Sequence, residues 1–227
     1  MSRKRVRAPG VGAGGLGSPV VLYLGSAGVG QITVVDHDMV DLTNLQRQVL
    51  HNMASLGQAK SESAREAIAA INPEVRVLPL VARADAALLA LLVPQADVVI
   101  DCSDNFATRH AINAACVAHR KPLVSGAAIR FDAQISVYDP REATSPCYAC
   151  LFPADTEFEE TRCATLGVFA PLVGIVGAMQ AAEALKLLSG AGRALTGRLL
   201  MLDGRAMEFT EVRIARQATC AVCGDAH

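Results

Sequence analysis

Six residues near the start of the chain, Gly12-Ala13-Gly14-Gly15-Leu16-Gly17, constrain the fold more than any other feature. They fit G-x-G-x-x-G. An apolar helical stretch, Ser18 to Ala27, follows, and then a buried strand, Ile32 to Asp36, that ends in an acid. Glycines in such a loop let backbone amides approach phosphate oxygens, and the N-terminus of the next helix adds favourable potential. The acid falls where βαβ units set a carboxylate against ribose hydroxyls. Gly12, Gly14, Gly15, Gly17 and Asp36 are therefore candidate nucleotide-binding residues. The segment before the loop disagrees with this pattern. Arg5-Val6-Arg7-Ala8-Pro9-Gly10-Val11 carries charges and a proline, which predicts a short, irregular first strand or a chain start that is not that of the natural domain.

The rest of the chain alternates in the same way. Helices are expected over Ser61–Ile71, Ala86–Val93 and Ala107–His119. Strands are expected over Val75–Leu80, Asp97–Cys102 and Pro122–Ser125. Strands alternating with helices imply a mostly parallel, Rossmann-like α/β sheet with helices on both faces. After Gly126 the texture changes. Ala133–Tyr138, Arg198–Asp203 and Glu208–Ile214 read as further, antiparallel strands, with a helix from about Val168 to Leu188 between them. No linker or repeat divides the 227 residues. A single domain is expected, with a nucleotide-binding half over about 1–126 and a second half over about 127–227.

Composition removes several classes. The hydrophobic fraction is 52% and the charged fraction 19%, which excludes a disordered or coiled-coil chain. A net charge of -1 gives no electrostatic case for nucleic acid or an anionic membrane. Arg3, Lys4, Arg5 and Arg7 precede an apolar patch, but glycines interrupt it and no small-x-small site follows, unlike a signal peptide. Cys163 to Ala182 carries no charge and is long enough for a membrane span. Its Pro171, Gly174, Gly177 and Gln180 and its continuation into Glu183 and Lys186 favour a buried helix, at the core or a subunit interface. A cytoplasmic protein with reduced thiols is expected.

Two polar segments argue against a simple dehydrogenase. The first runs from Asp36 to Gln48; its Asn44 and Arg47, with Lys60 beyond, offer hydrogen bonds and positive charge suited to a triphosphate. Their alternative reading is a solvated loop. The second is Asp101-Cys102-Ser103-Asp104-Asn105, at the C-terminal end of a parallel strand, where open α/β sheets bind ligands. Asp104 suits Mg²⁺ held by one carboxylate plus phosphate oxygens, or else a helix N-cap.

The seven cysteines divide by spacing. Cys147-x-x-Cys150 and Cys220-x-x-Cys223 are matched pairs that suit one closed tetrahedral Cys₄ zinc site, a clip returning the C-terminus to the body. Redox chemistry is the competing reading. Cys102 and Cys116 read as packing residues. Cys163, between a charged loop and the apolar helix, is either a reactive thiol or an inert one.

Taken together, these residues resemble the HesA/MoeB/ThiF family, bacterial relatives of ubiquitin-activating enzymes. The shared motifs are the GAGGLG loop, D-x-D-x-V-x-x-x-N-L-Q-R-Q from Asp36 to Gln48, Gly57-Gln58-Ala59-Lys60, Asn72-Pro73, the DCSDN segment and the two cysteine pairs. The resemblance covers essentially the whole chain. It implies ATP-dependent adenylation, with Mg²⁺, of the C-terminal Gly-Gly carboxylate of a ubiquitin-like sulfur-carrier protein. It implies nucleotide contacts at Gly15, Asp36, Asp38, Asn44, Gln46, Arg47, Lys60, Asp104 and Asn105. Arg47, Lys60 and Asp104 would be the catalytic set, with Cys163 as a thiol relay. A homodimer and a structural zinc are implied as well. Ser125-Gly126-Ala127-Ala128-Ile129-Arg130 resembles the molybdopterin branch, while Cys163-Ala-Thr-Leu-Gly167 is closer to the thiamine branch.

Members of that family also carry a helical segment before the first strand, with an arginine that reaches the partner subunit's ATP. None of Arg3, Arg5 or Arg7 matches it. Some relatives add a rhodanese-like extension; none follows here, so sulfur is expected from a separate donor protein. Two other functions compete: an NAD-dependent oxidoreductase, which leaves Asn44, Arg47, Lys60 and the cysteine pairs unexplained, and a non-catalytic carrier-binding protein on the same fold.

Overall fold

A computed structural model of the chain describes residues 7–154 and 167–224. Five parallel strands come first: β1 (Arg7–Val11), β2 (Gln31–Val35), β3 (Arg76–Leu80), β4 (Val99–Asp101) and β5 (Leu123–Ile129). Three antiparallel strands complete an eight-stranded sheet: β6 (Asp132–Tyr138), β7 (Arg198–Asp203) and β8 (Glu208–Arg213). The order is β3-β2-β1-β4-β5-β6-β7-β8. The chain winds outward from β1 in one direction, then returns to start again at β4. The crevice between the C-terminal ends of β1 and β4 is thus a switch point, where such sheets bind ligands.

The helices are α1 (Gly17–Ser26), α2 (Lys60–Ile71), α3 (Ala86–Leu92), α4 (Phe106–Ala118), α5 (Tyr148–Leu151) and α6 (Ala170–Ser189). Side chains alternate across a strand, so each parallel strand feeds two cores. Ala8, Ile100 and Val124 face α1, α2 and α6 through Val20, Leu24, Ile68, Leu172 and Val176. Val11, Val99 and Leu123 face α3, α4 and α5 through Leu89, Ile112 and Tyr148. Helices therefore cover both faces, as expected from the strand-helix alternation.

Three expectations need correction. The first strand is regular and central: β1 pairs with β2 along all five residues. Arg7 and Val11 carbonyls accept from Asp97 and Cys102 of the β4 side. By alternation Pro9 faces that side too, and the β1–β4 ladder begins only at Gly10. The missing proline N–H thus falls where the ladder has not yet started, which is how a proline fits a central strand. β5 does not stop at Ser125 but runs to Ile129 and turns into β6, because the Ser125–Ile129 segment is zipped to Asp132–Ser136. α6 begins at Ala170, later than Val168, with Pro171 in its first turn, where a missing N–H costs nothing.

α6 is long and apolar enough to cross a membrane. Here it is a core helix. Gly177 lies against α1, where a Cβ would overlap the carbonyl of Leu16. Its fully buried Gln180 donates through Nε2 to the Asp101 carbonyl at 2.7 Å.

Candidate nucleotide site and cysteine cluster

The glycine loop leaves β1 and enters α1 in a tight turn. Gly12 has a φ of +97°, and a Cβ there would sit 2.8 Å from the Cys102 carbonyl oxygen at the end of β4. A Cβ on Gly17 would overlap the Gly12 carbonyl. These two glycines let the loop close; Gly14 and Gly15 lie between them. A Cβ on Gly15 would come 3.0 Å from the Val173 side chain of α6, so that glycine also serves helix packing.

Asp36, at the end of β2, is buried and holds the loop. Its Oδ2 accepts from the Ala13 N–H at 2.7 Å and its Oδ1 from the Asp38 N–H at 2.8 Å. On the other side of the loop, His51 bridges the Ala13 carbonyl at 2.9 Å and Ser63 Oγ at 2.8 Å. His51 did not stand out in the sequence. Only its position in space, between a loop carbonyl and a serine of α2, reveals its role.

The polar segment after Asp36 folds back on the start of α2. Val40 N–H donates to the Gln58 carbonyl, and the Gly57 and Lys60 N–H groups donate to the Val40 and Asp38 carbonyls. Lys60 Nζ pairs with Asp38 Oδ2 at 2.9 Å; the lysine side chain is only 5% exposed and the aspartate 54%. Burial opposes ionisation of Asp38, but the Lys60 hydrogen bond and charge, helped by His37 and Arg83, outweigh it and hold its pKa below the ordinary value. Asn44 and Arg47 also meet: the guanidinium donates to Asn44 Oδ1 at 2.7 Å. Arg47 is half-buried and Gln46 exposed.

The DCSDN segment leaves β4 beside the glycine loop. Asp101 is fully buried, with Oδ1 accepting from Ser103 N–H and Oγ at 2.9 and 2.6 Å, and Oδ2 from Ser125 Oγ at 3.2 Å. Burial raises its pKa, against the opposing charge of Arg109 and those hydrogen bonds. Asp104 is exposed. The cap of α4 is the next residue: Asn105 Oδ1 accepts from Thr108 N–H at 2.9 Å. The cap role weighed for Asp104 thus belongs to Asn105, whose amide also donates to Asp104 Oδ1 at 3.4 Å while the Asp104 carboxylate stays exposed. One exposed carboxylate just after the C-terminal end of β4 fits a magnesium ion that takes its remaining oxygens from phosphate and water.

The four paired cysteines converge from opposite ends of the second half. Sulfur–sulfur distances are 3.6 Å for Cys147–Cys220, 3.4 Å for Cys150–Cys223 and 4.0 Å for Cys147–Cys150. All four are free thiols. A Zn–S bond of about 2.3 Å puts tetrahedral sulfurs about 3.8 Å apart. The cluster therefore fits one zinc ion. Burial works against the Cys220 thiolate, but the amides of Cys223 and Val222 and the neighbouring thiols bring its pKa down to about 7. Cys102 and Cys116 are not in the cluster, and burial pushes both thiols up. Cys163 lies outside the described residues, as do Arg3 and Arg5.

A nucleotide-type loop at the switch point of a doubly wound sheet, with a four-cysteine cluster, defines the class. The sequence pattern of the ThiF family matches residues 4–222, and the chain belongs to that family. It is 47% identical over 214 residues to the molybdopterin-synthase adenylyltransferase of Escherichia coli (strain K12), covering 94% of this chain and 85% of that protein. It is 45% identical over 216 residues to the SAMP-activating enzyme E1 of Haloferax volcanii, covering 95% and 79%. Among solved structures, E. coli MccB with ATP superposes with a TM-score of 0.84 at 25% identity, over 97% of this chain and 67% of that one.

Proposed function

We propose that this chain is an adenylyltransferase that uses ATP to activate the C-terminal Gly-Gly carboxylate of a ubiquitin-like sulfur carrier, for sulfur delivery to molybdopterin. One observation carries the reading. The chain is 47% identical over 214 residues to a molybdopterin-synthase adenylyltransferase, and its glycine loop is held by Asp36; Arg47, Lys60 and Asp104 would serve that site. That kinship favours the molybdopterin branch over the thiamine branch.

A C-terminal carboxylate has a pKa of roughly 3.5 and is already ionised at neutral pH, so the reaction needs no general base. It needs alignment of two anions and screening of their charge. The amides around Gly14 and Gly15 receive phosphate oxygens, and Asp36 holds the loop in register. Arg47 turns from Asn44, and Lys60 from Asp38, toward the triphosphate. Asn105 and Gln46 complete the rim. Asp104 would hold a magnesium ion, which when bound neutralises charge on the departing pyrophosphate. The carrier carboxylate oxygen attacks the α-phosphorus, the bond to the bridging oxygen breaks, and pyrophosphate leaves.

In this reading the nucleotide half is about 1–126, and the second half, about 127–227, receives the carrier. A homodimer, a cytoplasmic setting, a structural zinc and a separate sulfur-donor protein belong to the same proposal. After adenylation the Cys163 thiolate would attack the acyl-adenylate carbonyl, forming a thioester with the carrier as AMP leaves. The test is exchange of labelled pyrophosphate into ATP, with and without a Gly-Gly-ended carrier. Carrier-dependent exchange supports the proposal; ATP binding without exchange supports a carrier-binding protein instead.

A further inference from the structure

A buried side chain from α4 reaches the cysteine cluster. Asn113 is 1% exposed. Its Oδ1 accepts from the Tyr148 N–H at 2.9 Å, and its Nδ2 donates to Cys147 Sγ at 3.5 Å. A backbone N–H only donates, so the amide has a single orientation and its NH₂ must face the sulfur. Backbone amides serve neighbouring sulfurs: Gln217 N–H donates to Cys150 Sγ at 3.4 Å and Val222 N–H to Cys220 Sγ at 3.5 Å. Cys147 is 3% exposed, so water has little access to solvate its thiolate. Four thiolates around one Zn²⁺ leave net negative charge, and a donor aimed at a buried thiolate offsets it. One turn earlier on the same face of α4, Arg109 donates to the Ser103 carbonyl at 3.0 Å. α4 therefore touches the cluster through Asn113 and the DCSDN segment through Arg109.

We infer that Asn113 is a positioning residue for the metal: its side-chain amide aims Cys147 at a zinc ion and ties the clip to α4, the helix that opens beside Asp104. The inference rests on the zinc reading of the cluster and names a side chain that supports it. A side chain that only filled space would leave the sulfur's lone pairs unaddressed. Asn113 instead holds the backbone at Tyr148 and the ligand sulfur of Cys147 with one planar group, so the direction of that sulfur follows the placement of α4.

The test is chelator competition for zinc on the full chain, for wild type, Asn113→Ala and Asn113→Asp, each compared with its own metal-free form. Alanine removes both hydrogen bonds. Aspartate keeps the acceptor for Tyr148 and sets an oxygen against the thiolate. Zinc affinity should fall by ~10–100-fold in Asn113→Ala and at least as far in Asn113→Asp. NMR of the cadmium-loaded wild type should show coupling between the metal and the Asn113 side-chain amide protons, a readout that needs no variant to fold. Hydrogen exchange across α4 should slow when wild type takes up zinc, and slow less in Asn113→Asp. Unchanged zinc affinity in both variants overturns the inference, as does a cadmium spectrum in which the metal couples to the Gln217 and Val222 amides but not to Asn113. Equal loss of stability with and without metal, at wild-type affinity, marks a packing role and also overturns it. Exchange in α4 that is indifferent to zinc removes the tie to that helix. A wild type with four intact thiols that binds no zinc overturns the zinc reading itself, and this inference with it.

Discussion

His51 Nε2 donates to the Ala13 carbonyl oxygen at 2.9 Å, and this contact fixes the tautomer of the neutral ring. A carbonyl only accepts, so Nε2 carries the proton and Nδ1 accepts from Ser63 Oγ. The neutral imidazole satisfies both neighbours. A protonated ring would donate to both neighbours, with Ser63 Oγ turning to accept, so burial rather than the serine opposes the charge.

The first prediction follows. Burial depresses the pKa of His51 below the ordinary 6.5, against the pull of the Ala13 carbonyl and Asp36, while Lys60 acts with burial. Below the ordinary value the unfolded chain binds a proton that the folded ring refuses, so the contribution to stability is complete above about pH 6.5 and is lost as pH falls through the depressed folded value. Urea midpoints should drop over that window in wild type and drop less in His51→Gln. Identical pH slopes in the two proteins would falsify the assignment.

Asp104→Ala should leave the fold unchanged, because Asn105 caps α4 and Asp104 is exposed. Carrier-dependent pyrophosphate exchange should fall by ~10²-fold or more, as when a charge-stabilising group is removed from a transition state. Cys163→Ala should keep most of the exchange, since adenylation needs no thiol. Full exchange in Asp104→Ala would remove the magnesium assignment.

Metal analysis should find about one zinc per chain, with Cys147, Cys150, Cys220 and Cys223 all required. Ligand sulfurs bind as thiolates, so retention against a chelator should weaken as pH falls. Cys220→Ser should lower the melting temperature by several degrees or more. A metal-free chain with four intact thiols and an unchanged melting temperature would refute the clip.

Close contact of α1 and α6 gives a fourth outcome. Gly177→Ala should destabilise by about 1–3 kcal/mol or more, since the added methyl overlaps the Leu16 carbonyl and Pro19. Gln180→Leu should cost about 1–3 kcal/mol by leaving the buried Asp101 carbonyl without its donor. Denaturant unfolding measures both; a neutral Gly177→Ala would mean that the two helices separate without loss.

The sequence was readable wherever a local signal coincided with the final role. The glycine loop, the acid closing β2 and the cysteine spacing are of that kind, because turn geometry and ligand bite are set within a few residues. β1 is hard to read locally because Pro9 and the arginines look wrong in isolation; only the start of the β4 ladder at Gly10 shows why the proline is tolerated. Asp104 and Asn105 offer the same capping chemistry in sequence, and backbone direction decides between them. His51 and Gln180 act on carbonyls 38 and 79 residues away, so neither has a local signature.

Cys147 and Cys220 stand 73 residues apart, and α6, β7 and β8 all lie between them. Any ion held by all four cysteines would need Cys220 and Cys223, which follow β8 in the chain. An ion bound there would report that the second half is complete, and would hold closed a loop that a chain still in synthesis has no means of forming.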